Sequence, residues 1–350
     1  MSHRDFRDRD FLRTKEGLFF CVVGPYHPDD RVISYLRYLP DTKGKWRNET
    51  TRFKRAMPTY TIPSLLKTFE LLKNDYPQYI FFSHVYNILM TAVPKDYLVE
   101  HLKPEKKLDK LFENQALDPL QKKVVQFVSC LSELSAIPVS KFGVTGSILL
   151  NIHNPMFSDI DITVYGAKNG FRIKETLTEA VSSNDFSIRR FQEEKQEIWI
   201  REKTKKHPIS LTEAAQIYER KWNIGLFENT AFSIHPIKKE DELTEKYGDK
   251  ISNPIKFVTI KAEVVDNVDS IFLPAIYRVQ DVVVDEEIEA NIEEVVSYEG
   301  LYDSLAKKGE NIKAKGKLER IIDSRKGRIY DRLLVGSPDG KGREYIVLDT

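Results

Sequence analysis

The chain has 350 residues, of which 41% are hydrophobic and 31% charged, and its formal net charge is +1. This length leaves room for two or three domains with sizeable cores, and the charge balance excludes a general attraction to nucleic acid, leaving only local patches. Cys21 and Cys130 are the two cysteines, both in apolar runs, which excludes a disulfide framework and a cysteine-based zinc site.

The opening MSHRDFRDRDFLRTKEG alternates charges and lacks the apolar core of a signal peptide. Tyr79 to Val93 is the most apolar stretch, but it is interrupted by polar residues and too short to span a bilayer. A cytoplasmic protein without membrane contact is expected. Residues 17 to 40 predict two paired strands joined by GPYHPDD. The acids of that loop read as turn caps, with a metal site including His27 as the alternative. Asp41 to Arg55 is basic with Trp46 and Phe53 interleaved, a pattern that suits either a nucleic-acid track or a solvated loop. Over 62 to 74 the spacing of Leu65, Leu66, Phe69 and Leu72 predicts a helix. Residues 1–115 are therefore expected to form a small α+β module.

Asp118-Pro119 is a helix start, and apolar spacing from Leu120 to Leu134 carries that helix to about Ser135. It leads into Lys141 to Gly166, KFGVTGSILLNIHNPMFSDIDITVYG. This reads as a strand, a Gly146-Ser147 turn, a short apolar helix, a polar loop and a second strand carrying Asp159-Ile160-Asp161-Ile162. Residues two apart on a strand share a face, so the two carboxylates project together. Like charges so placed are costly unless a cation or proton is shared, and Mg²⁺ completed by substrate phosphates is the usual relief. Gly146 lets the backbone approach a ligand closely, and the amides opening the next helix suit an anion.

The order hydrophobic-Gly-[Gly/Ser], a gap, then Asp-hydrophobic-[Asp/Glu]-hydrophobic resembles the DNA polymerase beta-like nucleotidyltransferase superfamily. Eleven residues separate Ser147 from Asp159 here. The whole chain, its opening stretch above all, further resembles a family of predicted archaeal nucleotidyltransferases. The resemblance implies that Asp159 and Asp161 hold Mg²⁺ or Mn²⁺ and that Gly146 and Ser147 contact the β- and γ-phosphates of an NTP. It also implies a third carboxylate on a later strand. The best candidate strand, Ala231 to Pro236, offers Ser233 and His235 on the relevant face; Glu228 is the nearest acid before it and Asp241 lies beyond. A two-carboxylate site, a histidine in the third place and a lapsed site all remain open, with Glu228 and His235 as the nominated catalytic groups.

After Gly166 a helix over 171 to 181 is expected, then a mixed-charge basic stretch from Phe186 to Pro208. Its Lys203-Lys205-Lys206 end is a candidate for phosphate, against a solvated helical face. Ser210 to Glu213 is a capping box. The helix it opens ends at Arg220-Lys221-Trp222, where Lys221 or Arg220 would reach a triphosphate if the Ala231 strand lies beside the Asp159 strand. Residues 116–250 thus form the expected nucleotidyltransferase domain.

From Phe257 onward the pattern is almost all short strands, which predicts a small β-barrel over 251–350, with the OB type in view. Such barrels commonly bind oligonucleotides, and Tyr277, Tyr298, Tyr302 and Tyr330 would supply stacking; a packing module with those tyrosines in its core is the alternative. The sequence therefore reads as an α+β protein whose central domain has a mixed sheet with helices. Its expected activity is metal-dependent transfer of an NMP from an NTP to an acceptor hydroxyl, with RNA, tRNA included, as the favoured acceptor. The alternative is a catalytically lapsed scaffold that binds RNA or ribonucleoprotein.

Overall fold

The structure is a computed structural model that describes residues 4–183 and 187–349; Phe186, where the basic stretch begins, lies outside the described residues. The first part of the chain builds a sheet from β1 (Phe11–Thr14), β2 (Phe19–Val22), β3 (Arg31–Pro40), β4 (Trp46–Arg47) and β5 (Arg52–Arg55). After α1 (Ile62–Asp75) it continues with β6 (Ile80–Ser83), β7 (Ile88–Pro94) and β8 (Leu98–Leu102), and α2 (Pro104–Glu113) follows. The order is β4-β5-β3-β2-β1-β8, with β7 also on β3 and β6 beyond it. The expected pairing of the two opening apolar runs is the antiparallel β2–β3 ladder. Thr61 caps α1 by accepting from the Ser64 amide, and the helix buries Phe69 and Leu72.

The second part opens with α3 (Pro119–Ser135), β9 (Phe142–Val144), α4 (Gly146–Leu149), β10 (Ile160–Tyr165) and α5 (Ala167–Ser183). It continues with β11 (Ile188–Arg189), α6 (Glu193–Lys206), α7 (Leu211–Arg220), β12 (Ile224–Phe227) and β13 (Thr230–Ile237). Asp118 opens α3 as a reciprocal capping box with Gln121, and Ser210 opens α7 the same way with Glu213. The sheet order is β11-β12-β13-β10-β9, in which β10 and β13 run parallel and the other pairs antiparallel. The α3 residues Val124, Phe127 and Leu131 share one core with Ile162 and Val164 of β10, Ile173 and Leu177 of α5, and Phe232 of β13. That apolar face puts Asp161 on the opposite face of β10, half-buried beside the buried Thr163 and Tyr165.

The last part consists of β14 (Lys250–Asp266), β15 (Ala275–Val284), β16 (Ile292–Ser297), β17 (Asn311–Asp323), β18 (Arg328–Val335) and β19 (Tyr345–Leu348). Its pairings run β14-β15-β16-β18-β17, β17 pairs back onto β14, and β19 adds to β17. Ile260 of β14 therefore has Val284 on one side and Ala314 on the other. Alternation makes this possible: Val258, Ile260, Ala262 and Val264 are buried while their neighbours face outward. Ala214 and Ile217 of α7 join that core, so the second and third parts are packed together.

Three of the four tyrosines nominated for stacking are buried here. Tyr277, Tyr302 and Tyr330 are all at most 1% exposed, and only Tyr298 reaches the surface. Packing outweighs display because a buried ring contributes its full apolar area; Tyr277 donates to the Tyr302 carbonyl and Tyr330 to Glu294 at 3.0 Å, while among the described residues the Tyr302 hydroxyl is left without a partner. Three basic residues of β17 and β18 are ion-paired: Arg320 with Asp331, Arg328 with Glu293, and buried Lys317 with Asp339.

Candidate active site

β9 ends at Val144, and the chain turns at Gly146, whose φ is +67°. The Thr145 amide donates to the Asp161 carbonyl at 2.9 Å, lacing the turn to β10. A Cβ on residue 146 would stand 2.4 Å from Asp161 Oδ2, so the bare backbone abuts that carboxylate. Ser147 is buried behind it, and α4 is a single turn of four residues, too short to present the helix N-terminus expected for an anion. Asp159 directly precedes β10 and Asp161 is its second residue.

The two carboxylates differ in surroundings. Asp161 lines a cavity of about 530 Å³ where the three sheets meet. Asp159 is exposed and outside that lining, where the charges of Arg55 of β5 and Lys195 of α6 act on it. Desolvation by the protein around it and then the Asp161 charge push its pKa up to about 6. A divalent cation would remove that penalty. Among the described residues no group of three or more His, Cys, Asp or Glu could hold a metal. A donor set of Asp159 and Asp161 with the rest left to substrate oxygens would suit Mg²⁺ or Mn²⁺, which keep such open coordination.

β13 lies beside β10 as the position of a third carboxylate requires, with Asp161 opposite Ser233 and Thr163 opposite His235. No acid occupies that position. Instead Ser233 Oγ donates to Asp161 Oδ1, and His235 Nε2 lies 2.9 Å from the same hydroxyl. With the serine proton committed to the carboxylate, Nε2–H of His235 donates to Oγ. Burial, then the charges of Arg9 and Lys221, hold the His235 pKa well below its ordinary value, so the ring is neutral. The pair braces Asp161 rather than serving as an acid.

Glu228, nominated as the third acid, needs correction. It sits exposed at the tip of the β12–β13 turn with a left-handed φ of +44°, its carbonyl accepting from Lys123 Nζ. The tight turn between antiparallel strands sends its side chain away from the cavity lining. Asp241 is likewise not among the lining residues. Lys221 does reach the cavity, but its ammonium is already matched by Asp303 and the Gly300 carbonyl. Arg220 pairs with Glu310. Of the Lys203-Lys205-Lys206 end, Lys205 and Lys206 are bound to Glu202, and only Lys203 lines the cavity. Among the described residues Lys203 Nζ has no ion pair; it lies 4.9 Å from the centre of the Trp199 ring. Burial, then the charges of Lys221 and Lys206, press its pKa down to about 8. An incoming anion would reverse that.

Two lining residues carried no sequence signal beyond their place in a charged opening run: Asp8 and Arg9. Only the fold brings them here. Arg4 holds Asp10 at 2.7 Å and Glu105 at 2.5 Å, pinning the N-terminal segment against α2, and Thr145 Oγ1 donates to the Arg9 carbonyl at 2.7 Å.

A glycine turn set against one carboxylate of an Asp-x-Asp pair, on a mixed sheet with a parallel neighbour, is the layout of a DNA polymerase beta-like nucleotidyltransferase. Residues 122–247 match the family model described as a nucleotidyltransferase domain. The chain is also 30% identical to the uncharacterized protein MJ1086 of Methanocaldococcus jannaschii over 342 residues, 97% of this chain and 98% of that one. It belongs to this archaeal branch of the superfamily. No solved structure gives a match. Among the described residues no helix is long and apolar enough to cross a membrane.

Proposed function

We propose that the protein moves an NMP from an NTP to an acceptor hydroxyl with the help of a divalent metal. The observation that carries this reading is the juxtaposition of Gly146 with Asp161 in the lining of a cavity of nucleotide size, with Asp159 close enough to feel the Asp161 charge. Asp159 and Asp161 would hold Mg²⁺ or Mn²⁺, which when bound supplies neutralisation of charge on the triphosphate. Gly146 and Ser147 would meet the β- and γ-phosphates, with Lys203 adding a cation and Ser233 and His235 keeping Asp161 in place. In the transfer the acceptor oxygen bonds to the α-phosphorus. The bond from that phosphorus to the α–β bridging oxygen breaks, its electron pair leaves with pyrophosphate, and the acceptor proton passes to water.

The domain reading is part of the proposal: 1–115, 116–250 and 251–350, the last an OB-like barrel. The circuit of pairings through β14, β15, β16, β18 and β17, with β16 and β18 parallel, supports it. For an RNA acceptor, tRNA included, the supporting feature is the β4–β5 hairpin, where Lys43, Lys45, Arg47 and Arg52 are exposed near Asp159. The second reading, a lapsed scaffold binding RNA or ribonucleoprotein, is favoured by Ser233 standing where an acid is expected.

Calorimetric titration of the four NTPs with Mg²⁺ or Mn²⁺ tests the proposal, and saturable binding that requires metal is the expected result. A folded protein that binds none of them, yet binds RNA irrespective of metal, sinks the enzyme in favour of the scaffold. The Asp159 environment adds a pH signature. Its folded pKa of about 6 lies above the ordinary value near 4, so its ionisation weakens the metal-free fold as pH rises through that window. Metal binding needs the ionised form. Metal affinity should therefore fall by up to about tenfold per unit below pH 6, and Mg²⁺ should raise the melting temperature at pH 7.5 but not at pH 5.

Lys203→Met should weaken NTP·metal binding about tenfold, because it removes a cation from a partly desolvated site. Lys205→Met, on the exposed side of the same helix, is the control and should change it less than twofold. Equal effects on both would reduce Lys203 to a general electrostatic contribution.

A further inference from the structure

Beyond the carboxylates the cavity extends into an apolar chamber against the first sheet. Tyr35 of β3, Met57, Tyr60, Leu65 and Phe69 of α1, and Met90 of β7 line it. Its origin lies in how α1 covers the sheet. Leu72 sits fully in the core with Leu12, Leu18 and Phe20, whereas Leu65, two turns earlier, is left half-buried at the cavity. Tyr60 remains 55% exposed although its ring meets Tyr35 edge-on at 6.0 Å. Open aromatic and aliphatic surface beside a pair of carboxylates is what a ligand with an apolar body would cover.

Arg9 lies where this chamber meets the active site. Its backbone is left-handed, φ +68°, and the Thr145 hydroxyl fastens its carbonyl to the residue before Gly146. Its Nε is buried without a hydrogen bond, and among the described residues the charge is balanced only by an ion pair with Asp8 at 3.4 Å. A strained arginine with an unused donor inside a cavity is a ready partner for an anionic group.

The third wall of the cavity bears on what that ligand is. Strands two and three of OB-type barrels present the usual polynucleotide face. Here Ile276 of β15 and Glu294 and Val296 of β16 line the cavity, and the last two are at most 3% exposed. The face is turned inward, and its one lining arginine, Arg332, is already paired with Glu319 at 2.9 Å, so it offers no open basic track for a phosphate backbone.

We infer that the acceptor is a small molecule whose apolar or aromatic body fills this chamber and whose anionic group binds Arg9, and that it is not a polynucleotide. This rests on the nucleotidyl-transfer reading above. The basic β4–β5 hairpin lies outside the chamber, so an RNA acceptor would use a different surface and give a different experimental signature.

The probe is 8-anilinonaphthalene-1-sulfonate, an aromatic body carrying an anion, added to the full-length protein at neutral pH. One equivalent should bind with enhanced, blue-shifted emission. Leu65→Arg, which fills the chamber, and Arg9→Gln, which removes the cation, should each weaken binding at least tenfold. Tyr60→Ala, at an exposed position where unfolding is not expected, should weaken it about threefold or more. Circular dichroism and melting confirm that each variant is folded. Binding of several equivalents, or indifference to all three substitutions, overturns the chamber. Displacement of the dye by a single-stranded RNA 12-mer, or transfer of α-labelled NMP onto that RNA, overturns the small-molecule assignment. Metal-dependent NTP binding by the native protein is measured separately, so a failure of the nucleotidyl-transfer reading is distinguishable from a failure of the chamber.

Discussion

Asp159→Asn/Asp161→Asn should abolish metal-dependent NTP binding, lowering affinity by at least about 100-fold, or about 2.7 kcal/mol, while leaving the protein folded. The size follows from the donor set. With two carboxylates as the protein's whole contribution among the described residues, losing both leaves the cation only its substrate ligands. Stability should hold or rise. The native pair places like charges together, and replacing them with neutral amides removes the cost that raises the Asp159 pKa. Isothermal titration with Mg²⁺ and each NTP, beside thermal melting, separates these effects. A double variant that still binds NTP·Mg²⁺ within a few-fold of native would mean that the carboxylates are structural and the metal site lies elsewhere.

The parts of this site that were legible in the sequence are those held by short-range rules. Gly146-Ser147 and Asp159 with Asp161 fall within one strand–turn–strand unit, so spacing and alternation alone brought them together. The caps at Asp118 and Ser210 were readable for the same reason, because a cap and its amides are three residues apart. What escaped depends on contacts distant in sequence. Arg9 reaches the cavity because Arg4 binds Glu105, a hundred residues on, and because Thr145 holds its backbone. Lys203 differs from Lys205 only in which side of α6 meets α7 and the third sheet, which the mixed charges of that helix do not disclose. Glu228 was misplaced by counting along the chain without knowing that β12 and β13 form a hairpin whose tip it occupies. For the tyrosines the sequence left stacking and core packing open, because which face of β15 and β18 points inward, at Tyr277 and Tyr330, is set by the circuit of pairings among β14 to β18.

Gly146→Ala should be the most damaging single substitution at the site that leaves every charge in place. Two costs combine. Alanine in the left-handed region costs about 1–2 kcal/mol, and at φ +67° the new Cβ would stand 2.4 Å from Asp161 Oδ2, closer than such atoms approach. Either the turn opens or the carboxylate moves, and Asp161 has little freedom because Ser233 holds its other oxygen. The expected result is a loss of about 1–3 kcal/mol in stability and of about 100-fold in NTP·metal affinity. Gly327→Ala separates the two causes. Gly327 has φ +60°, but its Cβ would meet nothing within 4 Å, so it reports backbone strain alone, with nucleotide binding unchanged. If Gly146→Ala costs no more than Gly327→Ala in denaturant melts and binds NTP normally, then the close approach of the turn to Asp161 is not what organises this site. A large loss at Gly146 alone, with Asp161→Ala on that background restoring part of the stability but none of the binding, ties the turn to the carboxylate it faces.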